Sequence, residues 1–412
     1  MRRPAAAPWH DRTSFFPEIE SLRGIAISLV FLLHVSGWVL FPRPLQGIVV
    51  SPLRAFASGG HTGVSLFFVL SGFLLGRPFL LEVMQGRRMR RSAYYARRAL
   101  RILPVYYAAV LVGTVLCAQR PSDLLHGLPY LLFLNAVPGM ATPLQPYGDV
   151  WWSLAIEVEF YLLLPLLPLV LGSRRGRLVG AVVAVTYIAA YYSFHTGGVH
   201  VHTVEGQMKL GHSLFGRAPQ FALGIVAAWI YERFGQRIRT WAAATWWVRS
   251  GTGDLTLFLL LWSLGELLRR VVLITYWQAE VRWPAWHIAE GLLWSAVMLL
   301  LLLVPLWTRV LFCNRMWEAV GRISYSIYLI HAALIALAGP LLRQMWPGFA
   351  AGWSWTLGAA ALMAVVCLGL SALSYRLIER PFLQRKGRLP WWTAVPAALA
   401  APTDAAPRCV AG

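Results

Sequence analysis

Arg23 and His34 stand eleven residues apart on one apolar stretch. At ~100° per residue that separation is three helical turns plus ~20°, with a rise of ~16 Å, so one helix face carries both side chains. An imidazole kept neutral by apolar surroundings is a general base near neutral pH, and a guanidinium can hold an anion. His34 by itself also fits a plain hydrogen-bonded link to a neighbouring helix. In the run Trp152–Tyr161, Ser153, Glu157 and Tyr161 recur every four residues and share a face. Glu159 lies ~200° from Glu157 and suits water or a structural partner. Ser324, Tyr328 and His331 form a similar polar stripe, fit either for substrate contact or for helix association. Arg98 and Arg101, three apart and flanked by Arg97, make a forked cation cluster that suits phosphate or a lipid headgroup.

Composition sets the elements that must carry these groups. Of 412 residues, 58% are hydrophobic and 13% charged, against about 45–50% and about 25% in soluble domains. Too little polar surface remains to cover a water-facing globule, which excludes a soluble enzyme, a disordered chain and a fibrous repeat. Apolar runs of ~20 residues recur from Leu22 to Leu377, too long and continuous for barrel strands. An all-α, polytopic transmembrane helix bundle of about ten spans follows. The spans are expected near Leu22–Phe41, Thr62–Leu81, Ile102–Cys117, Trp151–Leu171, Leu178–Phe194, Ser213–Tyr231, Leu255–Ile274, Ile288–Arg309, Ala319–Leu341 and Trp353–Leu377. Leu124–Val137, short and interrupted by Pro129 and Asn135, reads as a re-entrant or interfacial segment.

Charge orients the bundle. The 37 Lys+Arg against 17 Asp+Glu give +20, and placing both termini in the cytoplasm collects every dense basic cluster on that side. The excess is therefore topogenic rather than a nucleic-acid surface. Cys117, Cys313, Cys367 and Cys409 are scattered, and His195, His200, His202 and His212 lack metal-ligand spacing, so no metal is expected. Trp151, Trp152, Trp283, Trp286 and Trp353 read as interface anchors. Residues 1–17 form a cytoplasmic segment, 18–383 the membrane domain, and 384–412 a disordered cytoplasmic tail.

Seven pieces in order resemble the acyltransferase 3 family of integral-membrane acyltransferases: Glu20–Gly24 with His34, Gly63–Phe73, Arg97–Pro104, Trp152–Tyr161, Arg217–Gly224, Gly321–His331 and Leu373–Phe382. The resemblance implies about ten helices, acyl-CoA as cytoplasmic donor and an essential histidine at His34. Arg23 belongs to the same motif, and Arg98, Arg101 and Glu157 carry functional weight. Three positions depart from the pattern. Glu20 stands where the family usually has Asp, Ser65 where it often has Asp, and Val158 where a second acid commonly follows the first. A long C-terminal extension with an esterase-like domain is not seen, which reads as the stand-alone form.

The expected activity is transfer of an acetyl or short acyl group from acyl-CoA to a hydroxyl of a carbohydrate, surface glycan or glycosylated metabolite, in the cell membrane. Catalysis is assigned to His34, as base or as transient acyl carrier, and to Glu157, which would fix its tautomer. Arg23, Arg98, Arg101, Ser153, Tyr161, Ser324, Tyr328 and His331 are expected to contact substrate, with no bound cofactor. His34 and Glu157 fall in the outer halves of their spans and the arginines at the inner face, so the donor would enter from the cytoplasm. The competing class is a proton-coupled transporter, with His34, Glu157 and His331 as relay and the arginines as an anion gate.

Overall fold

The computed structural model describes residues 15–36, 52–86, 88–137, 139–196, 210–274, 285–345, 353–387 and 389. The readings made for His200, His202, Trp283, Cys409, and nearly all of 1–17 and 388–412 lie outside this set. Among the described residues there is no β-strand. The helices are α1 (Pro17–Val35), α2 (Pro52–Ser58), α3 (Thr62–Gln85), α4 (Arg91–Cys117), α5 (Leu128–Leu131), α6 (Trp152–Leu163), α7 (Leu167–Leu171) and α8 (Arg174–Thr196). They continue as α9 (Leu214–Ala244), α10 (Gly253–Leu273), α11 (Trp286–Leu303), α12 (Arg309–Phe312), α13 (Arg315–Arg322), α14 (Ser324–Met345), α15 (Trp353–Ser374) and α16 (Arg380–Gly387).

Seven stretches of described helix are long and apolar enough to cross a membrane: α3, α4, α6 continued through α7, α8, α11, α14, and α15 continued through α16. Helices α1, α9 and α10 occupy the three other expected places, but each carries charged residues such as Arg23, Arg217 or Glu266. Leu124–Val137 is a 3-10 turn followed by α5 and irregular chain, not a crossing helix. The run expected as one span from Ala319 is instead broken at Ile323, between α13 and α14. Burial sorts the helices. Of the most apolar window of α3, 67% is buried, against 6% for α8, so α3 is central while α8 turns its Val and Leu side chains outward, as lipid contact requires.

Two glycine crossings fix the helices around the polar groups. A Cβ at Gly24 would overlap the backbone of Trp317, and one at Gly321 the carbonyl of Glu20, so α1 and α13 meet backbone to backbone. That contact sets Arg23 beside the start of α14. Gly72 and Gly224 play the same part between α3 and α9, the close approach that small residues permit in lipid. Tyrosine hydroxyls add pins: Tyr325 donates to the Ile102 carbonyl at 2.9 Å, and Tyr94 to that of Tyr161 at 3.1 Å. Helices α14 and α6 are thereby tied to α4.

Two of the tryptophans, Trp151 and Trp286, correct the expectation of interface anchors. Trp151 and Trp286 are 1% and 0% exposed. Trp151 packs against Tyr106 and Tyr130, and Trp286 against His61 and His287. Their faces are used up inside the protein.

Candidate active site

A cavity of about 110 Å³ opens where α1, α3, α4, α6 and α14 converge. Eight of the ten residues singled out from the sequence line it: Arg23, Arg98, Arg101, Ser153, Glu157, Tyr161, Ser324 and Tyr328. Each helix brings its polar face inward because lipid cannot satisfy those groups. The remaining two, His34 and His331, meet each other just outside the cavity, edge to face with ring centroids 4.9 Å apart.

The shared face of α1 is realised along α14. Arg23 Nη2 donates to Ser324 Oγ at 3.2 Å near one end, and the His34 ring meets His331 near the other. Between them stands Tyr328, whose ring lies 5.8 Å from that of His331. The Tyr328 hydroxyl donates to the Val150 carbonyl, so the hydroxyl pair between Ser153 and Tyr328 at 2.6 Å has Ser153 as donor. The Ser153–Tyr328 bridge therefore stands between the cavity lining and the imidazoles. The basic lining and the two histidines are neighbours across that tyrosine.

Glu157 is not the partner of His34. Its carboxylate accepts from Ser71 Oγ at 2.6 Å and from the Tyr161 hydroxyl at 2.8 Å, while His34 Nδ1 lies 2.8 Å from the Val30 carbonyl. A carbonyl only accepts, so Nδ1 bears the hydrogen and Nε2 keeps its free lone pair. The tautomer expected to depend on a carboxylate is fixed by the helix's own backbone. The carboxylate that electrostatically feels His34 is Asp149, on the loop entering α6. Partial burial pushes its carboxyl above the ordinary range, against the opposing pull of the Gln145 side chain and of His34.

The arginines divide. Arg101 is ion-paired with Glu379, whose other oxygen accepts from Ser326 at 3.0 Å. Arg23 lies 3.7 Å from Glu20. Arg98 has no ion pair among the described residues and sits over the Tyr161 ring at 6.0 Å. Arg97, expected to complete the fork, instead donates to the Leu389 carbonyl and does not line the cavity. Glu379 and Ser71 escaped the sequence reading. The signal for Glu379 is a single acid between two basic residues near the end of the last apolar run, and Ser71 sits among the small residues beside Gly72.

A second buried network was also missed. Ser65 Oγ donates to Glu290 Oε2 at 2.8 Å, Gln220 Nε2 donates to Ser65 Oγ at 2.8 Å, and Arg217 Nη1 lies 2.7 Å from His287 Nδ1. His61 Nε2 lies 3.5 Å from Glu290 Oε1. Arg217 also sits over Trp152, which stacks on His212 at 3.9 Å. Glu290 of α11 thus stands one hydrogen bond from Ser65, the position where the acyltransferase 3 pattern often has Asp.

The chain matches the acyltransferase domain of the acyltransferase 3 family over residues 16–375. It belongs to that family and is a membrane acyltransferase. It is 27% identical, over 94% of its length and 90% of the relative, to a Komagataeibacter xylinus chain whose name describes a membrane-bound transacylase. It is 23% identical over 89% of its length to the peptidoglycan O-acetyltransferase OatA of Listeria monocytogenes, and 22% identical over 90% to a Staphylococcus aureus chain with an O-acetyltransferase name. Those matches cover 56% and 58% of the two longer relatives. No solved structure matches the chain.

Proposed function

We propose that the chain moves an acyl group, acetyl or another short one, from acyl-CoA to a hydroxyl of a carbohydrate or glycosylated acceptor. The observation that carries this reading is the pairing of a free guanidinium, Arg98, in a narrow cavity with a free imidazole nitrogen beyond Tyr328. At ~10–15 Å³ per water-sized sphere the cavity holds several such spheres, room for a slender thioester arm but not for a nucleotide. The nucleotide phosphates would remain at the arginine mouth, gripped by Arg98. His34 Nε2 takes the acceptor's proton as its oxygen attacks the thioester carbonyl. The relatives named as O-acetyltransferases support acetyl and an oxygen acceptor, and the basic clusters support a cytoplasmic donor entry with both termini on that side of a plasma membrane.

Purified chain given acetyl-CoA is expected to release free CoA only when an alcohol acceptor is present, with the His34→Ala variant silent. Flux of a solute through sealed vesicles without CoA turnover overturns this reading in favour of a transporter.

A further inference from the structure

The two histidines raise a question of hydrogen-bond supply. His331 Nδ1 lies 3.0 Å from the Ile327 carbonyl and 2.9 Å from that of Tyr328. Both partners only accept, so this ring, like that of His34, carries its hydrogen on Nδ1 and presents a bare lone pair at Nε2. His331 is 0% exposed, and its Nε2 has no partner among the described residues. His34 Nε2 makes no hydrogen bond among them either. Asp149, coupled to His34 through space, is hydrogen-bonded to neither ring. Two acceptor-only nitrogens, on rings 4.9 Å apart, cannot satisfy each other. A buried acceptor left without a donor costs about 1–3 kcal/mol.

We infer that the acceptor of this enzyme presents two neighbouring hydroxyl groups, one to His34 Nε2 and one to His331 Nε2. The inference rests on the transfer reaction proposed above and narrows its substrate to a diol. A single hydroxyl carries one proton and can serve only one ring. Hydroxyls on adjacent carbons supply two, one for each of the neighbouring rings. The roles then separate. His331, wholly enclosed and without a counter-ion in reach, stays neutral and holds the second hydroxyl. His34, partly exposed, does the chemistry. The O–H bond of the first hydroxyl breaks and its proton passes to His34 Nε2. The oxygen's electron pair forms the new C–O bond at the thioester carbonyl, the C–S bond breaks, and the thiolate takes the proton back from His34. Neutral imidazole, ester and free thiol result.

The test uses the full chain, acetyl-CoA and two small alcohols, ethylene glycol and 2-methoxyethanol, with ester formation and CoA release both followed. The first offers two adjacent donors and the second only one. Wild type is expected to acylate the diol about tenfold or more faster, and His331→Ala to bring the two rates together while His34→Ala abolishes both. The wild-type comparison needs no substitution, so a variant that folds poorly leaves the answer intact. Equal wild-type rates overturn the diol inference and leave the transfer reaction standing, as does a preference that survives His331→Ala. Absence of CoA release with either alcohol overturns the transfer reading, and the inference with it.

Discussion

Arg101 and Glu379, 278 residues apart in the chain, form a buried ion pair beside the cavity, and that pair leaves Arg98 as the cation without a carboxylate. Neighbouring guanidiniums on α4 therefore do different work. One closes the bundle and the other is available to an anion.

This division predicts opposite phenotypes for two similar substitutions. Arg101→Gln strands the Glu379 carboxylate in the protein interior and is expected to cost about 3–5 kcal/mol of stability, read as a lowered unfolding temperature. Arg98→Gln leaves no such orphan and is expected to raise the KM for acyl-CoA about tenfold with little change in unfolding temperature. If Arg101→Gln alone weakens donor binding while Arg98→Gln alone unfolds the chain, the assignment is reversed.

Tyr328 lines the cavity, is held by its bonds to Ser153 and Val150, and stands with its ring 5.8 Å from that of His331. On the proposed function, Tyr328→Ala removes a ring that keeps water from the space between the thioester and His34. Acceptor-independent CoA release is expected to rise several-fold over wild type, whereas Tyr328→Phe, which keeps the ring, should lose about 1–3 kcal/mol of stability without that leak. Thiol titration in the absence of any alcohol measures it, and a leak no larger than wild type for Tyr328→Ala argues against this shielding role.

Helical periodicity carried much of this arrangement. The 3.6-residue repeat placed Arg23 with His34, Ser153 with Glu157 and Ser324 with His331, and each set does face the bundle. What a single chain's periodicity does not encode is which helix lies opposite. Glu157 finds Ser71 and Tyr161 rather than His34, because α3 and not α1 packs against that turn of α6. Glu379 and Glu290 were invisible for the same reason: their partners, Arg101 and Ser65, are more than two hundred residues away. The break at Ile323 was also hidden, since the residues around it are apolar enough for one span and only the glycine contact with Glu20 shows why the helix restarts.

Glu290 anchors the network joining α3, α9 and α11, with no exposure to solvent. Glu290→Gln removes the charge that faces Ser65, His61 and His287, and the expected loss is about 1–3 kcal/mol. Adding Ser65→Asp restores a carboxylate one hydrogen bond away, so the double variant should recover a substantial part of the lost unfolding temperature. Purely additive losses in the double variant would show that the position of the charge, not its presence, is what the bundle needs.

Asp254, at the start of α10, accepts from the backbone N–H of Trp307 at 3.2 Å and of Thr308 at 2.8 Å, and from the Thr308 hydroxyl at 2.6 Å. Burial pushes its carboxyl up, but the Thr308 and Trp307 donors together outweigh that and hold it below the ordinary carboxylate range. A carboxylate depressed in the folded state contributes stability that is fully present above its unfolded pKa of about 3.9 and is lost as pH falls through the lower folded value. The corner between α11 and α12 is therefore expected to stay docked at neutral pH and to loosen only in acid. Hydrogen exchange at the Trp307 and Thr308 amides, corrected for intrinsic rate, should accelerate below pH ~4 in the wild type. In Asp254→Ala it should be fast at every pH. Protection in the alanine variant equal to wild type would mean that the corner is held by packing instead of by this carboxylate.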